Sequence, residues 1–256
     1  FNAGTKIFGG WSRANEQRSL SVFARNQYGT EAIEYPLFPN LPYDEFQAVV
    51  LRNAGNEWLN TNFRDAVLTG LLHDADLETQ AYRPCVTYLN GEYWGIYNLR
   101  EKINEHFIAS KQQVNPDEVD LLEFNGKIVE GSNVDYLNLL AFANNNNLSN
   151  DNLFAQIEAE MDVDNYILYQ LSQIYFDNTD WPGNNIKFWR APNRKWRWIL
   201  YDTDFGFGTW NYFGYLNNTL AFALATNGPG WPNPPWSTAL FRNLMENVNF
   251  KDISEY

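Results

Sequence analysis

The chain has 256 residues, 45% hydrophobic and 19% charged, with 31 acidic against 18 basic side chains and a formal net charge of −13. Such a composition belongs to an ordinary folded protein with room for a core flanked by two subdomains, and the charge disfavours nucleic acid or an anionic membrane face as a partner. A single cysteine, Cys85, excludes an internal disulfide and a cysteine-based zinc site, and with only His73 and His106 as histidines, catalysis must rest on carboxylates.

No apolar run reaches the roughly 18 residues of a membrane span, and Phe1-Asn2-Ala3-Gly4 is not a signal peptide. Over residues 19–38, loose alternation around Leu20, Val22 and Ala24, with Tyr28-Gly29-Thr30 as a turn, predicts two strands. Phe46 to Leu51 reads as a buried strand ending at Arg52. Phe63, Val67, Leu68, Leu71 and Leu72 then fall at helical spacing behind a cap at Thr61 or Asn62.

The clearest local signal is Val86-Thr87-Tyr88-Leu89, Asn90-Gly91, Tyr93-Trp94-Gly95-Ile96-Tyr97, a β-hairpin whose Asn-Gly pair suits the positive φ angles of a tight turn. Asn98 to Lys102 reads as a link into a short helix over 104–110. After Asn115-Pro116 the pattern is helical. One helix starts at Ser132 or Asn133 and carries Val134, Leu137, Leu140 and Ala141, a second runs from Asp151 towards Met161, and a third covers 164–176.

A breaker-rich loop, Asp177 to Asn185, follows the third helix, and two strands come next, 186–190 and 196–201. The second strand runs into Asp202-Thr203-Asp204-Phe205-Gly206. Residues 228–236 are irregular, and an amphipathic helix is expected over 238–248. Ten Trp, fifteen Tyr and eighteen Phe read first as a core built from large rings, with sugar or base stacking platforms as the alternative.

Two features together carry chemistry. Asp180 precedes Asn185 by five residues, the separation of catalytic Asp and metal-binding Asn in a phosphotransferase loop, and beyond a hairpin lies the acidic pair Asp202 and Asp204. Mg²⁺ favours a few carboxylates plus phosphate oxygens, so carboxylates at a strand end beside that loop are apt. Asp202 is the first choice as metal ligand, with Asp204 as a second ligand or support. Upstream, Arg52 ends its strand where a phosphate-binding Lys would stand; its partner is open between Glu101 and Asp65, and Glu101 with Lys102 is expected near the adenosine.

These stretches resemble the CotH kinase family: Val50-Leu51-Arg52-Asn53, Tyr88 to Lys102, Asp177 to Asn185, and Trp196 to Gly208. The resemblance implies an α+β, atypical protein-kinase-like fold in two lobes, β-rich over 1–100 and mainly helical over 101–256, within one domain. It also implies further helices past the last residue. Its activity would be transfer of the ATP γ-phosphoryl group to Ser or Thr of a partner protein, with Mg²⁺ or Mn²⁺. Asp180, Asn185 and Asp202 would be catalytic; Asn185, Asp202 and Asp204 would hold metal; Arg52, Glu101 and Lys102 would bind the nucleotide. A monomer, secreted or held at a bacterial cell surface, is expected. The rival readings are a carbohydrate-binding or sugar-processing module, a metal-dependent glycosyltransferase using Asp202-Thr203-Asp204, and a binding-only pseudokinase.

Overall fold

The computed structural model describes residues 1–254, with side chains through 252. Two sheets organise it. The first is antiparallel, in the order β1 (Gly4–Ile7), β2 (Leu20–Phe23), β5 (Ala48–Arg52), β8 (Glu92–Glu101), β7 (Tyr82–Leu89), and a small ribbon of β3 (Ile33–Glu34) and β4 (Glu45–Phe46) lies apart from it. The expected hairpin is present as β7 and β8, turning at Asn90 (φ 53°) and Gly91 (φ 83°). Both turn residues need the left-handed region, which Asn and Gly adopt at least cost.

Alternation along β5 and β8 sorts the first sheet into two faces. Val49 and Leu99 pack with Ala24, Ile33, Phe38 and Phe46 on one side. Val50 is paired with Arg100 and Arg52 with Asn98, so Arg52 and Arg100 share the other side, which receives α1 (Arg64–Gly70). The α1 N-terminus differs from the expected cap. Phe63 occupies the capping position, Asn62 is left-handed, and the buried carboxylate of Glu57 accepts the Arg64 N–H at 2.9 Å. A distant acid thus satisfies a first-turn amide that a neighbouring Thr or Asn would otherwise take.

The second sheet runs β10 (Lys127–Glu130), β9 (Asp120–Glu123), β11 (Lys187–Arg190), β12 (Arg197–Leu200), β6 (Glu78–Thr79). Here the sequence reading is corrected twice. Residues after Pro116 form the β9–β10 hairpin instead of a helix, and Asn98 to Glu101 belong to β8 instead of a link. The region after residue 101 therefore holds a sheet as well as helices, and β6, from before residue 100, pairs parallel with β12.

Helix α2 (Glu105–Gln112), capped by Asn104, covers one face of this sheet through Phe107 and Ile108 against Leu121, Trp189 and Ile199. The other face carries the main core. Phe188 and Trp198 stack 5.5 Å apart and pack with α3 (Val134–Asn145), α4 (Asp151–Glu160) and α5 (Val163–Tyr175). Asn165 on α5 accepts the Trp198 N–H at 2.7 Å, fixing that helix to β12. Helix α6 (Thr219–Leu224) follows, and the expected final helix is split into α7 (Ala239–Leu244) and α8 (Val248–Ser254). Trp181, Trp189, Trp196 and Trp198 are buried, as a ring-built core requires, whereas Trp11, Trp210 and Trp231 are exposed.

Candidate active site

The antiparallel pairing of β11 with β12 places the site. Lys187 lies opposite Ile199, so the loop entering β11 and the segment leaving β12 emerge at one end of the sheet. The entering loop is held from beneath. Asn178 is fully buried, donates to Gln173 at 2.8 Å, and its carbonyl accepts the N–H of Trp181, itself 1% exposed.

On this base Asp180 is held by amides. Asn184 Nδ2 donates to both carboxylate oxygens (3.0 and 2.9 Å), Asn185 Nδ2 donates to Oδ2 at 2.7 Å, and the Trp231 indole adds a further donor. Burial outweighs these donors and, with the charge of Asp202, pushes the Asp180 carboxyl up to about 6. Asn185, left-handed at φ 53°, also reaches the Asp202 carbonyl at 3.4 Å. One amide therefore touches both loop and strand end.

Asp202 (φ 55°) turns the chain out of β12 and meets Arg52 in a close ion pair. Arg52 also contacts Asp204 Oδ2 at 3.0 Å and Asp65 on α1 at 2.9 Å. Three carboxylates hold its guanidinium charged despite burial. Asp65 is shared with Arg100 at 2.6 Å and accepts the Thr203 N–H at 2.8 Å. Against the cost of burial, the two guanidiniums and Thr203 draw the Asp65 carboxyl down to about 2. Burial pushes Asp204 up, reinforced by the charge of Asp202, and burial also lifts Asp202 against the pull of Arg52. Asp204 Oδ2 accepts the Asn56 N–H at 3.0 Å, while its buried Oδ1 has no partner.

The structure thus brings Asp180, Asn185, Asp202, Asp204 and Arg52 into one network. It resolves the Arg52 partner as Asp65, not Glu101. Glu101 lies on the opposite face of β8, where it accepts from Tyr43 (2.6 Å) and the Ala81 N–H (2.8 Å) and pairs with Lys111 (3.1 Å). Lys102 turns the other way, its Nζ 5.7 Å from the Phe8 ring centre and 5.8 Å from that of Phe23. Burial and the charge of Lys187 lower its pKa against the pull of Glu105. Arg100, Thr203 and Asn184 were given no role from sequence, and Trp231 stood only as an exposed ring for the rival sugar-binding reading. Arg100 joins the site because the β5–β8 register sets it beside Val50 on the face of Arg52, a pairing that folding alone decides.

The family model for CotH kinase protein matches residues 5–255. The chain belongs to the CotH kinase family. No curated protein matches it. Membership gives this CotH kinase protein a kinase-like phosphotransferase character, and the matched span takes in every residue of the network. No helix among the described residues is long and apolar enough to cross a membrane.

Proposed function

We propose that this CotH kinase protein transfers the γ-phosphoryl group of ATP to a Ser or Thr hydroxyl of a partner protein, using Mg²⁺ or Mn²⁺. The observation that carries the reading is the Asn185 amide, which joins the Asp180 carboxylate to the chain at Asp202 while Arg52 holds Asp202 and Asp204. In this reading the two sheets correspond to the two lobes of a kinase-like fold, with α1 carrying the partner of the phosphate-binding cation.

The residues fit a divalent ion. Asp204 Oδ1 is a buried carboxyl oxygen without a partner, and Asp202 and Asp204 share one arginine. Among the described residues no three His, Cys, Asp or Glu side chains suffice to hold a metal alone. Mg²⁺ would need only one or two carboxylates, its shell completed by phosphate oxygens and water. Asp202, Asp204 and Asn185 would hold it, and once bound it neutralises charge on the β- and γ-phosphates.

The remaining work falls to side chains. Asp180, oriented by Asn184 and Asn185, accepts the proton of the incoming hydroxyl as its oxygen bonds to the γ-phosphorus and ADP departs. A carboxyl near 6 is ionised at neutral pH yet more basic than an exposed aspartate. Arg52, whose guanidinium lies among Asp65, Asp202 and Asp204, would offer its fork to a phosphate oxygen. Lys102 borders the nucleotide in this reading; Glu101 does not.

The reading is tested by titrating ATP calorimetrically with and without Mg²⁺, on the wild type and on Asp202→Ala, and by following label from γ-labelled ATP into a protein acceptor. Nucleotide binding that ignores the metal and the substitution would overturn it. Metal-dependent binding without transfer would mark a pseudokinase.

A further inference from the structure

Behind the Asp180 loop lies a cavity of about 180 Å³. Seven aromatic rings wall it, from Phe124, Tyr136, Tyr166, Tyr169, Trp181, Trp198 and Trp236, and none of the residues lining it carries a formal charge. All but Phe124 and Trp236 are buried. An apolar cavity of about 150 Å³ already takes up a benzene ring, so one ring with a small substituent fills this one. A charged ligand would surrender its hydration to a wall without a counter-charge, which selects a neutral one.

Two wall groups ask for more than shape, the Tyr169 hydroxyl and the Gln170 amide, each with a buried oxygen that lacks a partner. Gln170 is 5% exposed, and its amide hydrogen-bonds Tyr166, but its Oε1 is buried without a partner. A buried carbonyl oxygen left unmatched is costly, and a ligand hydroxyl or N–H removes that cost. We infer that this cavity is a binding site for a small uncharged aromatic molecule bearing one hydrogen-bond donor, a phenol or an indole, seated on the ring walls and donating to Gln170.

The location makes the site an effector site. Trp181 follows Asp180 and Ile186 follows Asn185, and both side chains line the cavity. The two ends of the loop that carries Asp180 and Asn185 are thus built into its wall. A molecule seated there braces both ends together, so occupancy alters how Asp180 and Asn185 are held. This binding does not depend on the kinase reading, because it involves neither nucleotide nor metal.

The experiment uses the whole chain without nucleotide. Phenol and benzene are titrated by calorimetry, with backbone amide NMR shifts followed over residues 178–186. Phenol should saturate and bind about tenfold more tightly than benzene, the difference one buried hydrogen bond makes. Phenol should also shift the loop amides. Gln170→Leu should bring phenol down to the affinity of benzene, and Leu140→Phe, which fills the cavity, should abolish both. Near-UV circular dichroism verifies that each variant is folded, and a misfolded Leu140→Phe leaves Gln170→Leu to decide. Failure of the wild type to saturate with either probe overturns the site. So does a phenol preference that survives Gln170→Leu, or tetramethylammonium binding more tightly than phenol.

Discussion

Asn185 donates to Asp180 at 2.7 Å while the same nitrogen reaches the Asp202 carbonyl at 3.4 Å. Loop and strand end are therefore held as one unit by a side chain that the β11–β12 pairing brings between them. Two predictions concern chemistry in this unit, and two more concern the ion pairs that support it.

Asp180→Asn should bind ATP with Mg²⁺ within about twofold of the wild type and lose transfer by about 10³-fold, the range of a removed general base. Calorimetry and label transfer, run on the same preparation, separate the two effects. Parental transfer in this variant would remove Asp180 from the mechanism.

Asp204→Asn should stabilise the nucleotide-free protein by about 1 kcal/mol, because burial and Asp202 already disfavour the Asp204 charge. The same change should weaken metal-dependent nucleotide binding at least tenfold. Urea unfolding with and without ATP and Mg²⁺ measures both signs at once. A variant that is less stable and binds as before would contradict the placement of the ion.

Gly55 is left-handed at φ 63°, and a Cβ there would lie 2.3 Å from Asp204 Oδ2 and 2.7 Å from Arg52 Nη2. Gly55→Ala should therefore push the guanidinium and the carboxylate apart at a cost of about 2 kcal/mol, combining backbone strain with the collision. The nucleotide affinity should fall with it. Unaltered affinity and unfolding midpoint would show that the pair is not needed in this arrangement.

Asp65 supplies the pH dependence. Its folded carboxyl lies near 2 against an ordinary 3.8, held down by Arg100 and Arg52 against burial. A depressed carboxylate stabilises the fold above its unfolded value and loses that contribution as pH falls towards the folded one. The stability gap between wild type and Asp65→Asn should thus be about 2 kcal/mol wider at pH 6 than at pH 2. Denaturant titrations at the two pH values give that difference directly, and an unchanged gap would refute the assignment.

Local chemistry was readable where it is self-sufficient. The Asn90-Gly91 turn, the short helix near Asn104 and the helical spacing through α5 depend on neighbours in the chain, and each formed as expected. The strand end at Arg52 and the order of Asp180, Asn185 and Asp202 were equally plain. Strands β9 and β10 were missed because Asp120 to Glu130 is short and mixed in polarity, and pairing with β11 decides its state. Glu57 was invisible as a cap for α1, since it reaches the Arg64 amide by a fold of the intervening turn.

Residue types and their order along the chain settled which groups were available: carboxylates in place of histidine or cysteine, one Asp and one Asn on a shared loop, and an arginine at a strand end. Folding decided the partnerships. Arg52 meets Asp65 and not Glu101 because neighbouring positions on a strand point to opposite faces, and only one face of the first sheet is turned towards α1. The aromatic cavity likewise came from the meeting of α3, α5 and the second sheet, where large rings leave a gap that a list of residues does not reveal.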